Sequence, residues 1–183
     1  MAEVPIEDLV FLDETSTQIT MTRRRGRAPR GVRLTEAVPR NHGDNLTLLT
    51  AIGVDGVKAP LVFANALNGD IFAQWVAEWL VPILRPGQIV VQDNLSVHKD
   101  CRARTAIEAA GCRLEFLPVY SPDCNPIELV FASLKTHLGG AKARTPEAVI
   151  EAIGAGLDRV TPDQLRNGYR HCGYHTTASG QPL

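Results

Sequence analysis

Two short apolar runs in this chain end in acids. Leu9-Val10-Phe11-Leu12 leads into Asp13-Glu14, and Ile89-Val90-Val91-Gln92 leads into Asp93-Asn94. Continuous apolar runs of this length suit strands buried on both faces. Alternate residues of a strand share a face, so Leu9, Phe11 and Asp13 project together, as do Ile89, Val91 and Asp93.

Between these runs, residues 46–53 and 57–64 read as two strands, with the turn-forming Gly53-Val54-Asp55-Gly56 closing a hairpin. A helix is predicted from Asn68, capped by Asn68 or Asp70, with Phe72, Val76, Leu80 and Ile83 at helical spacing. Trp75 and Trp79 widen its apolar face and are assigned to the core in preference to base stacking. Pro82 and Arg85-Pro86-Gly87 end it. Residues 99–110 read as a helix closed by Gly111, and residues 113–118 as a further strand, which implies a parallel pair with a right-handed crossover.

Asn125-Pro126-Ile127-Glu128 begins a strongly marked helix, with Asn as cap, Pro at the first position and Glu three residues after the cap. In the structural reading Glu128 only bonds back to the cap amide. In the functional one, the apolar face of Ile127, Phe131, Leu134 and Leu138 leaves Glu128, Ala132 and Lys135 on a flank, from which a carboxylate reaches the neighbouring strand ends. Gly139-Gly140 is expected to close this helix. Two more follow, one from Thr145-Pro146 with Val149, Ile150, Ile153 and Leu157 inside, the other from the capping box Thr161-Pro162-Asp163-Gln164. The pattern is α/β: one domain over residues 1–175 and a frayed tail over residues 176–183.

Composition fits this reading. With 183 residues and 44% hydrophobic content, the chain can bury a real core. No apolar run approaches the roughly 18 residues of a membrane span, and the acidic N-terminus does not resemble a secretory signal, so no membrane partner and a cytoplasmic location are expected. Cys101, Cys112, Cys124 and Cys172 read as reduced thiols. A zinc site at His171-Cys172-Gly173-Tyr174-His175 lacks a second ligand pair. Net charge is −1 but lopsided: Arg23, Arg24, Arg25, Arg27, Arg30, Arg33 and Arg40 face one acid, Glu36, across residues 22–40, leaving 12 basic and 19 acidic residues elsewhere. The irregular stretch 15–45 that holds them is either a solvated basic loop or a contact for phosphate oxygens, which arginine forks match.

The chemistry rests on Asp13, Asp93 and Glu128, with 34 residues between the last two, enough for a crossover helix and a strand. Three acids in one site need protons or cations, and all-oxygen ligation favours two magnesium or manganese ions holding a phosphate. Glycoside hydrolysis is the weaker alternative, because the chain offers an arginine loop and no aromatic-rich groove. No Gly-rich phosphate loop, G-x-S-x-G or H-E-x-x-H motif is present.

Phe11-Leu12-Asp13-Glu14-Thr15, then Val91-Gln92-Asp93-Asn94 with His98-Lys99, then Tyr120-Ser121-Pro122-Asp123 with Asn125-Pro126-Ile127-Glu128 and Leu134-Lys135 together resemble the catalytic domain of DDE transposases, in the bacterial insertion-sequence branch of the mariner superfamily. The 34-residue interval matches that branch, and Gly26-Arg27-Ala28-Pro29-Arg30-Gly31 resembles its early basic segment. The resemblance covers about residues 10–171. It implies a ribonuclease-H-like fold, a mixed five-stranded sheet with helices on both faces. Asp13 would lie on the first strand, Asp93 at the end of the fourth and Glu128 on a later helix.

It further implies that Asp13, Asp93 and Glu128 bind two magnesium (or manganese) ions, hydrolyse a phosphodiester at the element's end and pass the released 3′-hydroxyl into target DNA. Asn94 and His98 match motif positions beside the second acid, in orienting or structural roles. DNA contacts are expected from Arg23, Arg24, Arg25, Arg27, Arg30, Arg33 and Lys135. Relatives act as dimers that pair two ends and carry helix-turn-helix domains upstream, sometimes in a separate frame, so a DNA-reading half is expected outside this chain. Phe131 replaces a common Trp and Cys124 a larger apolar residue, changes of packing rather than chemistry. A non-catalytic DNA-binding remnant and a structure-specific nuclease are the alternative functions.

Overall fold

The computed structural model describes residues 4–175 apart from 24, 36, 39, 41–44 and 120. Five strands form one sheet in the order β3-β2-β1-β4-β5. These are β1 Leu9–Thr17, β2 Leu46–Gly53, β3 Gly56–Ala64, β4 Ile89–Gln92 and β5 Arg113–Phe116. The β1–β2–β3 side is antiparallel and the β1–β4–β5 side parallel, which confirms the predicted hairpin and crossover. Five α-helices cover the sheet: α1 Gly69–Trp75, α2 Cys101–Ala109, α3 Ile127–Ala141, α4 Pro146–Leu157 and α5 Pro162–His171. None is long and apolar enough to cross a membrane.

The strand alternation sorts the core into two layers. Leu9 and Phe11 pack with Phe131, Leu134, Ile153 and Tyr169 on the α3–α5 side. Val10 and Leu12 pack with Phe72, Trp75, Leu80 and Ile107 on the α1–α2 side. The Tyr169 hydroxyl is shared between the carbonyls of Leu9 and Ile52 at 3.0 and 3.1 Å, which fastens α5 to the two central strands.

Three local expectations fail, each for a packing reason. After Trp75 the helix widens into a π-helical turn, Val76–Leu80, and then tightens into a 3₁₀ turn, Val81–Ile83. The 3.6-residue phase is lost there, so Trp79 is 49% exposed and Ile83 also faces solvent, whereas Trp75 is buried with its indole N–H donating to the Ala59 carbonyl. Ile150 of α4 is likewise exposed while Val149, Ile153 and Leu157 are buried, a narrower apolar stripe than predicted. Gly139-Gly140 does not close α3, which runs on to Ala141 and ends on Lys142 in the left-handed region at φ 53°. Both glycines have another use. A Cβ on Gly139 would lie 2.9 Å from the Thr22 carbonyl oxygen, and one on Gly140 would lie 3.2 Å from the Arg23 guanidinium. They seat the start of the arginine segment on the helix.

Other expectations hold. Asn68 caps α1 through Ile71 N–H, Gly111 adopts φ 74° after α2, Thr145 caps α4, and Thr161 with Gln164 forms the capping box of α5. The irregular stretch shrinks slightly, because β1 continues to Thr17 along β2. The four cysteines are free thiols. The expected tail over residues 176–183 lies outside the described residues.

Candidate active site

Strand register brings the first two acids together. β1 pairs in parallel with β4 through Leu9, Val10 and Phe11, the last opposite Val91. Two residues further on, Asp13 and Asp93 stand at corresponding positions on adjacent strands, just where β4 has ended and β1 continues. This is the crevice beyond the carboxyl ends of parallel strands where α/β sheets bind ligands. A cavity of about 280 Å³ opens there, and Asp13, Asp93, Asn94, Asn125 and Glu128 all line it.

Asp13 is 7% exposed. Its Oδ1 accepts the Glu14 backbone N–H at 2.8 Å and its Oδ2 the Asn125 Nδ2 at 2.9 Å, so the carboxylate plane is fixed from two sides. Burial, with Glu14 and Asp93 adding negative charge nearby, holds this carboxyl up at about 7. Asn125 is thus no helix cap. Pro126 occupies that position without a side-chain cap bond, and Asn125 reaches across 112 residues to Asp13 instead. The capping-box account of Glu128 falls with it: Pro126 has no N–H for Glu128 to bond, and Glu128 stands exposed at the cavity from the first turn of α3.

Asp93 is held by His98. The imidazole is fully buried, with Nδ1 at 2.5 Å from Asp93 Oδ1 and Nε2 at 2.9 Å from Glu14 Oε2, while the ring packs against Phe72 at 4.9 Å between centroids. Ionised carboxylates only accept hydrogen bonds, so both ring nitrogens carry protons and His98 is an imidazolium. Burial opposes that charge, but the hydrogen bonds to Asp93 and Glu14 outweigh it and raise the ring to about 9. Burial likewise works against the Asp93 charge, and the bonds from His98 and from the Leu95 N–H nevertheless keep its carboxyl below the usual value. Both bonds fall on Oδ1, which leaves Oδ2 uncommitted.

Glu14 is the residue the sequence reading missed. The signal was the strand alternation itself: Asp13 follows Phe11 toward α3, where Asn125 waits, and Glu14 follows Leu12 toward α1 and α2, where His98 sits. Asn94 lines the cavity, yet its amide is taken by the Leu117 carbonyl and so ties the end of β4 to that of β5. Among the described residues, the ligating atoms of Asp13, Glu14 and His98 lie within 4.8 Å of one another. Because His98 has both nitrogens engaged, it cannot ligate, and the ligating groups left among the described lining residues are carboxylates and amides. One is orphaned: Asn125 Oδ1 is buried without a partner in a residue 3% exposed. Carboxylate and amide oxygens, with one acid destabilised by burial, are a donor set that a hard divalent cation fits.

The predicted DNA contacts are not part of this cavity. Arg23 lies over the far end of α3, Arg25, Arg27, Arg30 and Arg33 are exposed, and Lys135 is exposed on α3 two turns beyond Glu128. Arg24 lies outside the described residues.

Comparison with known proteins agrees with this picture. The profile of the family described as DDE superfamily endonuclease matches residues 8–150. The Tc1 transposase of Caenorhabditis elegans is 30% identical over 79 residues, 43% of this chain and 29% of that protein. Among solved structures, a pre-cleavage Mos1 transpososome superposes with a TM-score of 0.75 at 18% identity, covering 92% of this chain and 52% of that one. The mariner Mos1 paired-end complex with magnesium gives 0.71 at 19% identity, covering 92% and 54%. The ribonuclease-H-like fold is shared, and this chain spans about half the length of the Mos1 chains and less of Tc1.

Proposed function

Because the chain belongs to the DDE superfamily endonuclease family, we propose that it is the catalytic domain of a transposase that hydrolyses a phosphodiester at an element's end and transfers the 3′-hydroxyl into target DNA. The observation that carries this reading is the meeting of Asp13, Asp93 and Glu128, from β1, the end of β4 and α3, around one cavity. These three acids are the catalytic and metal-binding groups. Two divalent ions, magnesium or manganese, would supply activation of the attacking oxygen and stabilisation of the leaving one. Asp13 and Asp93 offer carboxylates in register, Asn125 and the Glu14 amide fix the first, and His98 holds Oδ1 of the second, leaving Oδ2 uncommitted. Glu128 closes the set from the helix side. Asn94 acts on the site only by holding two strand ends together.

The finer reading is a member of the bacterial insertion-sequence branch, supported by the 34-residue interval and the basic segment 26–31. It works in the cytoplasm at the nucleoid, as a dimer pairing two ends, together with a helix-turn-helix half. The share of Mos1 that this chain spans and the paired-end assembly of that protein support the last two points. Arg23, Arg24, Arg25, Arg27, Arg30, Arg33 and Lys135 are its DNA contacts. The test is incubation with transposon-end duplex and magnesium, with the DNA-reading half supplied. Metal-dependent nicking that disappears in Asp13→Asn, Asp93→Asn and Glu128→Gln is expected. Nicking by Asp93→Asn at the wild-type rate sinks the assignment, and salt-sensitive DNA binding with no nicking under any condition sinks the enzymatic reading.

A further inference from the structure

A second groove, of about 690 Å³, runs along the far half of α3 where α4 ends and α5 begins. Its lining includes Arg23, Ser133, His137, Arg159 and Gln164, and no acid. We infer that this groove, through Arg23, His137 and Arg159, binds a backbone phosphate of the DNA that is cut at the cavity. The inference rests on the DNA-cleaving reading above and adds a contact that the arginine segment alone does not provide.

The groove presents donors. Arg159 Nη1 lies 3.3 Å from His137 Nδ1. A guanidinium has no acceptor, so Nδ1 accepts, and the ring proton sits on Nε2 as a further donor. His137 is held there by Gly156 of α4: a Cβ at that position would fall 3.1 Å from its ring and 2.5 Å from Leu134. Gln164 spends its carbonyl oxygen on the Thr161 N–H, which leaves the amide nitrogen. Arg23 reaches the groove because Gly139 and Gly140 let residues 22 and 23 lie against the helix. Two guanidiniums, an imidazole N–H, an amide and the Ser133 hydroxyl, with no carboxylate among the described lining residues, match the oxygens of a phosphodiester.

The spacing follows from α3. Its first turn carries Glu128 at the cavity and its last turn carries Gly140 beneath Arg23, twelve residues later. At the helical rise that is about 18 Å. A duplex lying along α3 covers that distance in about half of its ~34 Å helical turn, so a single bound duplex reaches both the cavity and the groove.

The experiment titrates the full chain with a short labelled duplex in EDTA over a range of sodium chloride, reading anisotropy. Arg159→Gln and Arg23→Gln are each expected to weaken binding and to reduce the slope of log K against log salt by about one. Replacing phosphates of the duplex by neutral methylphosphonates should weaken wild-type binding, and Arg159→Gln should lose part of that sensitivity. Both arginines are exposed, so thermal melts should not change. Unchanged slopes in both variants, equal methylphosphonate sensitivity in wild type and Arg159→Gln, or no salt-dependent binding by the wild type overturns the inference. Because this assay contains no divalent metal, a chain that nicks DNA yet shows unchanged slopes loses the groove alone. A chain with the expected slopes that never nicks loses the enzymatic reading alone.

Discussion

His98 and Glu14 meet at 2.9 Å across 84 residues of sequence, behind the cavity that Asp13, Asp93 and Glu128 line. The far nitrogen of the same ring holds Asp93, so Glu14 sets the angle of an acid it never touches. Removing such an outer partner typically lowers metal affinity or activity by ~10–100-fold. Glu14→Ala should fall in that range for nicking and should raise the magnesium concentration needed for half-maximal rate. Glu14→Gln, which keeps an acceptor for Nε2, should recover part of the loss, whereas a purely packing role would give both variants the same rate.

The charge on His98 also ties stability to pH. Its folded value of about 9 exceeds the ordinary 6.5, so the folded chain binds this proton more tightly than the unfolded one. The stabilisation is complete below about pH 6.5 and is lost as pH rises through about 9. Urea midpoints measured in EDTA should decline across that window, and the decline should flatten in Glu14→Ala.

Asp13 acts over a lower range. Held at about 7 against an ordinary 3.8, it also binds its proton more tightly when folded, so stability without metal drops as pH climbs from about 4 to 7. Metal binding requires the deprotonated form. The rise in melting temperature on adding magnesium should therefore be larger at pH 8 than at pH 5, and it should vanish in Asp13→Asn. An equal rise at both pH values would count against Asp13 as a ligand.

Much of this was readable from apolar spacing. Two apolar runs ending in acids become adjacent strands, because each must bury both faces and only a shared sheet with helices on either side allows it. The main failures have two causes: a distant contact overriding a local rule, and a change of helical period. Asn125 looked like a cap but serves Asp13, Gly139-Gly140 looked like a stop but receives Thr22 and Arg23, and the Trp79 phase shifted in a π-helical turn. Glu14 escaped because its partner, His98, lies outside any local pattern.

Tyr169 offers a test of the fold apart from chemistry. Its hydroxyl serves two central-strand carbonyls, and its ring meets Phe11 edge-on at 5.2 Å between centroids. Tyr169→Phe keeps the ring and leaves buried acceptors short of a donor, a change worth about 1–3 kcal/mol. A urea titration should show that loss with an unchanged slope.

The Asp13–Asn125 bond spans 112 residues, which gives the protein a built-in delay. Until α3 has docked, the first acid lacks its clamp and the third stands apart from the other two. The site is therefore assembled by a long-range closure, when the segment carrying Asn125 and Glu128 packs against the strands that carry Asp13 and Asp93.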